Sequence, residues 1–141
     1  MALLAMAPRQ SLEDAWRSIE PAPAYTHVRQ PEVGSALVRA RAGGTGSRFN
    51  LGELTITRCS VRVQGVVGRF LVGHAYVTGR DRRKAELCAI FDALCQDDAR
   101  RAMLETALLT PLAEAKRERD LRSAEQAAGT KVDFYTMVRG D

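Results

Sequence analysis

The chain has 141 residues, 45% apolar and 27% charged, with 21 basic against 17 acidic side chains and a net charge of +4. That length suits one domain with its own core, and the sequence lacks an apolar run long enough to span a membrane and the dense basic stripe interleaved with aromatics that marks a dedicated nucleic-acid binder. Three cysteines, an odd number without a CxxC pair, fit a reduced cytoplasm rather than a disulfide framework. Arginine carries the basic excess far more than lysine, which suits bidentate contact with phosphate or carboxylate and enrichment at protein interfaces.

The opening Met1–Pro8 is apolar but has no basic segment before it, so it reads as a helix fragment and not as a signal peptide. Ser11 is placed to cap a short helix over Leu12–Ile19, with Asp14 at the capping-box position. Leu12, Ala15, Trp16 and Ile19 share one face of that helix, which makes Trp16 a packing anchor. Pro21 and Pro23 stop it. Tyr25–Arg29 is a weak strand, ended by Pro31. Ser35–Ala42 alternates more clearly: Leu37, Arg39 and Arg41 share one face, and Ala36, Val38, Ala40 and Ala42 the other.

Between two alternating runs stands Ala42–Arg58, with Gly43, Gly44 and Gly46 in four positions. Glycine enters positive φ without a Cβ clash, so this loop is either a tight connection or a cradle of bare N–H groups. It is not a Walker loop, because no Gly-Lys-Ser/Thr follows. Nor is it a dinucleotide fingerprint, because Phe49 stands where the third glycine belongs. Phe49–Gly52 reads as a second turn around Asn50 and Gly52. Glu53–Gln64 is the longest strand signal. Leu54 and Ile56 point one way, while Cys59, Val61 and Val63 continue with the opposite parity, so either a β-bulge near Arg58 and Cys59 or an edge bend reconciles them. Arg69–Thr78 returns as an antiparallel strand, with Gly68-Arg69 as a two-residue loop between them.

Asp81 is placed to cap the strongest helix, Arg82–Asp97. Cys88 and Cys95 lie on one face of it. Two thiols are too few for a closed zinc site, so they read as small core hydrophobes. A second helix spans Ala99–Leu109. Thr110-Pro111 fits the start of a third, which runs to Ala128, is closed by Gly129, and carries mixed charges such as Glu118 with Arg122 at i, i+4. The tail, Lys131–Arg139, is a β-type run that would need to join this sheet or a partner's. His27 and His74 are the only histidines and match no metal or triad spacing, and no carboxylate dyad stands out. The residues by themselves do not describe a self-sufficient enzyme. The expected fold is a single α+β domain over 1–141: an antiparallel sheet, an N-terminal helix, a helix cluster after the central hairpin, and a C-terminal strand.

Four separated blocks carry a resemblance. Gly43–Glu53, Leu54–Arg62, Gly79–Ala89 and Val132–Asp141 are similar, in that order, to the G subunit family of the bacterial carbon–phosphorus lyase system, PhnG. Asp92-Ala-Leu also fits. The resemblance implies a small subunit of a cytoplasmic core complex with the H, I and J subunits, chiefly in contact with I, and with neither nucleic acid nor membrane as partner. With H and I it would support displacement of the purine of ATP by methylphosphonate, giving ribose 1-methylphosphonate 5-triphosphate. No cofactor or metal is expected on this chain; the iron–sulfur cluster and S-adenosylmethionine would belong to J. No catalytic residue carries over. Gly43, Gly44, Thr45, Gly46, Arg48, Arg58, Arg80 and Arg139 stand as interface or phosphate-contacting candidates. The family also implies a longer N-terminal helix, of which Met1–Met6 resembles the end, and a shorter hairpin around Gly65–Gly73. A free-standing basic nucleic-acid-binding module is the alternative reading.

Overall fold

The computed structural model describes residues 1–65 and 68–130. Two short helices, α1 (Ala2–Met6) and α2 (Arg9–Arg17), lead into three strands, β1 (Tyr25–Arg41), β2 (Arg48–Gln64) and β3 (Phe70–Thr78). Then follow α3 (Arg82–Leu94), α4 (Asp98–Leu104), a π-helical turn (Glu105–Leu109) and α5 (Thr110–Gly129). The strands form one antiparallel sheet in the order β1-β2-β3. The α+β class expected from the sequence is therefore present; the expected C-terminal strand and Arg139 lie outside the described residues.

The core sits between α3 and one face of β2 and β3. Thr57, Cys59, Val61 and Val63 of β2 and Leu71, Ala75 and Val77 of β3 point inward and are buried. Leu87, Ile90, Phe91 and Leu94 of α3 meet them, with Leu4, Leu12, Leu104, Leu108 and Leu112 closing the sides. Gly73 is indispensable here: a Cβ at that position would lie 1.9 Å from the carbonyl oxygen of Ala89 and 2.5 Å from the nitrogen of Ala93. The helix therefore rides directly on the strand backbone. Asp81 accepts from the Lys84 N–H at 2.9 Å and starts α3, as expected. Side chains of α3 and of the turn that follows it also reach around the outer edge of β3. The His74 N–H donates to Asp92 Oδ2 at 3.0 Å, and Gln96 Nε2 donates to the Val72 carbonyl at 2.9 Å.

Several boundaries differ from the sequence reading. The helix expected over Leu12–Ile19 begins at Arg9, because Pro8 supplies an extended entry; Ser11 lies inside it, not at its cap. β1 is one 17-residue strand that runs through Pro31. Its pairing with β2 slips between His27 and Arg29 and again between Arg29 and Glu32. Those irregularities on an outer strand are where a residue without an N–H is tolerated. They also correct the bulge expected near Arg58 and Cys59. The alternation of β2 runs unbroken through Arg58 and Cys59, the extra residues there are on β1 opposite it, and Leu54 and Ile56 simply occupy the other face. Phe49–Gly52 is strand, not turn: Val38 pairs with Gly52 and Arg39 with Asn50, so Leu51 is the extra residue of a bulge. The β2–β3 connection spans 65–69 and closes with Gly65 N–H to the Arg69 carbonyl at 2.7 Å, instead of a two-residue loop. Finally, α5 starts at Thr110 with Pro111 in its first turn, as expected, but the helical path reaches it without a break. The π turn before them absorbs the missing proline N–H and lets the helical path continue.

Candidate functional site

β1 and β2 extend well beyond β3. The β2–β3 ladder ends at Ile56 opposite Thr78, whereas the β1–β2 ladder continues to Arg41 opposite Arg48. The distal half is a two-stranded arm with no helix packed on it. At its tip, Ala42–Gly44 form a 3-10 turn with Gly43 and Gly44 at φ of 58° and 79°. Side chains are disfavoured at such φ values, which explains the two glycines. The Gly46 N–H donates to the Ala42 carbonyl at 2.9 Å. That bond, together with the bond from Arg41 Nη1 to the Gly46 carbonyl at 3.1 Å, makes the loop a closed connection. Of the two readings of this loop, the tight turn is the one that forms.

The candidate residues do not converge. Gly43, Gly44, Thr45, Gly46 and Arg48 are at the arm tip. Arg58 lies ten residues along β2, about 33 Å away at roughly 3.3 Å per residue, and donates to Glu32 Oε1 at 2.7 Å. Arg80 is exposed in the connection from β3 to α3. They mark three separate places rather than a pocket.

Arg58 lies on the face of the sheet opposite α3. No described element covers that face. Arg58, Ser60 and Arg62 of β2 pair there with Tyr76, His74 and Val72 of β3. Phe70 and Tyr76 are 60% and 61% exposed, with the Arg62 guanidinium 4.6 Å above the Phe70 ring. The same face continues onto the arm as Ile56, Leu54, Ala36, Val38, Ala40 and Phe49, a stretch without charge. An open apolar sheet face of this extent marks a docking surface.

Two polar clusters stand near the sheet. Ser60 Oγ lies 2.9 Å from His74 Nδ1, the spacing of a nucleophile and its base. A third group must orient the base, and the nearby Asp92 is bonded to the His74 backbone N–H instead of the ring. The second cluster was not visible in the sequence. Glu86 of α3 accepts from Tyr25 Oη at 3.1 Å and Arg83 Nη1 at 2.6 Å, and its Oε1 lies 2.8 Å from His27 Nε2. A carboxylate only accepts, so His27 carries its proton on Nε2. Arg83 also reaches Glu13 of α2 at 3.5 Å. Burial alone would raise the Glu86 carboxyl, but the bonds from Arg83 and Tyr25 outweigh it and hold it below the ordinary carboxylate value. A general base poised near neutrality needs the reverse shift. The cluster is a keystone joining β1, α2 and α3. The only advance signal was the i, i+3 spacing of Arg83 and Glu86; their partners come from far along the chain.

The thiols are equally quiet. Burial pushes Cys59 and Cys88 up to about 11, so neither is an activated nucleophile. Among the described residues no group of His, Cys, Asp and Glu is arranged to hold a metal ion. A mostly apolar groove of about 410 Å³ runs between α2 and the start of α5, lined by Pro8, Ala15, Leu108, Pro111 and Leu112 together with Ser11, Asp14 and Ser18 of α2 and its end. No helix among the described residues is long and apolar enough to cross a membrane.

Fold and surface together define an α+β protein whose prominent feature is a sheet face and arm left for another molecule to cover. The comparisons place it further: the profile of the phosphonate metabolism protein PhnG matches residues 1–140, and the chain belongs to that family. It is 46% identical over 141 residues to the alpha-D-ribose 1-methylphosphonate 5-triphosphate synthase subunit PhnG of Rhizobium meliloti (strain 1021), an alignment covering 100% of this chain and 87% of that protein.

Proposed function

We propose that this chain is the accessory G-type subunit of a bacterial alpha-D-ribose 1-methylphosphonate 5-triphosphate synthase. It acts in the cytoplasm as part of a complex with H, I and J subunits, seated chiefly on I. In that complex methylphosphonate displaces the purine of ATP, the committed step of phosphonate catabolism. The chain contributes surface and position rather than a catalytic centre. It carries no cofactor of its own; the iron–sulfur cluster and S-adenosylmethionine of the later carbon–phosphorus cleavage belong to J. Gly43, Gly44, Thr45 and Gly46 shape the arm tip, and Arg48, Arg58, Arg80 and Arg139 serve contacts with partner or phosphate.

The observation that supports this most strongly is the family match over the whole chain, and the uncovered sheet face and arm are what an obligate partner surface requires. The test is reconstitution. The purified chain alone should release no adenine from ATP, while its mixture with H and I should release adenine only when methylphosphonate is present. Appreciable turnover by the lone chain defeats the accessory role. Binding to DNA or RNA that weakens steeply with salt would favour the nucleic-acid reading instead.

A further inference from the structure

The two faces of the arm differ in a way the docking role does not explain. One face, Ala36, Val38, Ala40, Leu54 and Phe49, is apolar and continues the open sheet face. The other carries Arg39, Arg41 and Arg48. Arg41 pairs directly with Arg48 across the strands, and Arg39 stands two residues before Arg41 on the same face, paired with Asn50. Like charges directly opposite one another destabilise a strand pair. Among the described residues no carboxylate lies within ion-pair distance of any of the three. Glu53, paired with Leu37, is the one acid on that face. Two strands without a helix or third strand behind them are marginal in water, so concentrating repulsion there is costly unless an anion is gathered between the guanidiniums.

We propose that the arm tip delivers Arg39, Arg41 and Arg48, as one cationic face, to the polyphosphate chain of a nucleotide held by a partner subunit. Arginine suits this because its planar fork meets phosphate oxygens bidentately. Successive same-face positions on a strand are about 6.7 Å apart and directly opposite ones about 5 Å, so three guanidiniums span a chain of linked phosphates rather than a single one. The closed Gly43–Gly46 turn holds Arg41 and Arg48 at the extreme end of the arm, where the apolar face can bind protein while the charged face reaches a cleft. The nucleotide assignment rests on the synthase reading above; the polyanion chemistry rests on the register of the arm.

The variant Arg39→Ala/Arg48→Ala removes two guanidiniums that make no hydrogen bond among the described residues and leaves the turn bond of Arg41. In the reconstituted complex it should assemble normally by size exclusion and raise the KM for ATP by about 10-fold or more, at about 1.4 kcal/mol per factor of ten, with the KM for methylphosphonate little changed. Phe49→Ala, on the opposite face, should weaken assembly and leave the KM for ATP alone. Unchanged KM for ATP overturns the proposal, as does loss of assembly at physiological salt in the arginine variant, which would mean that the cationic face meets an acidic protein surface. If the complex releases no adenine at all, the synthase reading fails and the arm is judged separately. Inorganic tripolyphosphate should then raise the melting temperature of the full-length chain but not of the variant, and no difference between them sinks the polyanion site.

Discussion

The same two strands lead opposite lives at their two ends. At the end covered by α3, the inward positions of β2 hold Thr57, Cys59, Val61 and Val63, all buried. At the arm end, on the same side of the ribbon, β1 and β2 hold Arg39, Arg41 and Arg48, all exposed. The bulge at Leu51 lies between the two ends, and period-2 alternation holds on either side of it. What changes is the chemistry at the positions that alternation points toward the helix side, and with it whether the chain can bury that side by itself. One end is folded by its own helix, whereas no described element covers the other.

The sharpest way to break this contrast is with two glycines. Gly73→Ala would drive a Cβ into the backbone of α3 and should abolish folding, a loss of at least about 4 kcal/mol. Gly34→Ala, in the arm, meets nothing within 4 Å and should change stability by less than about 0.5 kcal/mol. Urea denaturation of both variants decides it; equal effects would mean that the arm is packed in the free chain. Next in size, Phe91→Ala removes a fully buried ring and should cost about 3–5 kcal/mol. Phe49→Ala, 44% exposed in the arm, should leave the isolated chain nearly as stable and show its effect only on assembly.

The smallest effect concerns acid. Glu86 titrates below its ordinary value of 4.5 in the folded chain. Its contribution to stability is therefore complete above that ordinary value and is lost as pH falls through the lower folded value. Glu86→Gln should flatten the acid limb of the stability–pH profile without changing its shape above neutrality. An unaltered acid limb would show that the keystone lies elsewhere. No such acid dependence is expected from substitutions in the arm.

Much of this architecture was legible in the residues. Asp81 announced the start of α3, and the alternation of Ala36, Val38 and Ala40 against Leu37, Arg39 and Arg41 placed the arm's two faces correctly. Three things were not. Pro31 reads as a strand stop because its tolerance depends on slipped pairing with β2, a property of the partner strand. The unbroken path from α4 into α5 was missed because the π turn that joins them leaves no local mark in composition. The parity change between Ile56 and Cys59 reads as a bulge in β2, whereas the apolar Leu54 and Ile56 face outward to a surface that no described element covers. Apolar residues on a docking face mimic core residues, so sequence alone assigns them to the wrong side. The candidate site was legible as a list of motif residues but not as a place, because Arg48, Arg58 and Arg80 are dispersed along the ribbon and the following turn.

The reach of Asp92 and Gln96 around β3 has one more consequence. By occupying the outward N–H of His74 and carbonyl of Val72, α3 plugs the middle of that edge against an incoming strand. Strand addition by a partner, or uncontrolled edge-to-edge growth into an aggregate, is thereby turned away from β3 and toward β1. The sheet is polar in a topological sense, with one side sealed by its own helix and one side open, and the amide of His74 should exchange with solvent as slowly as if a fourth strand lay beside it.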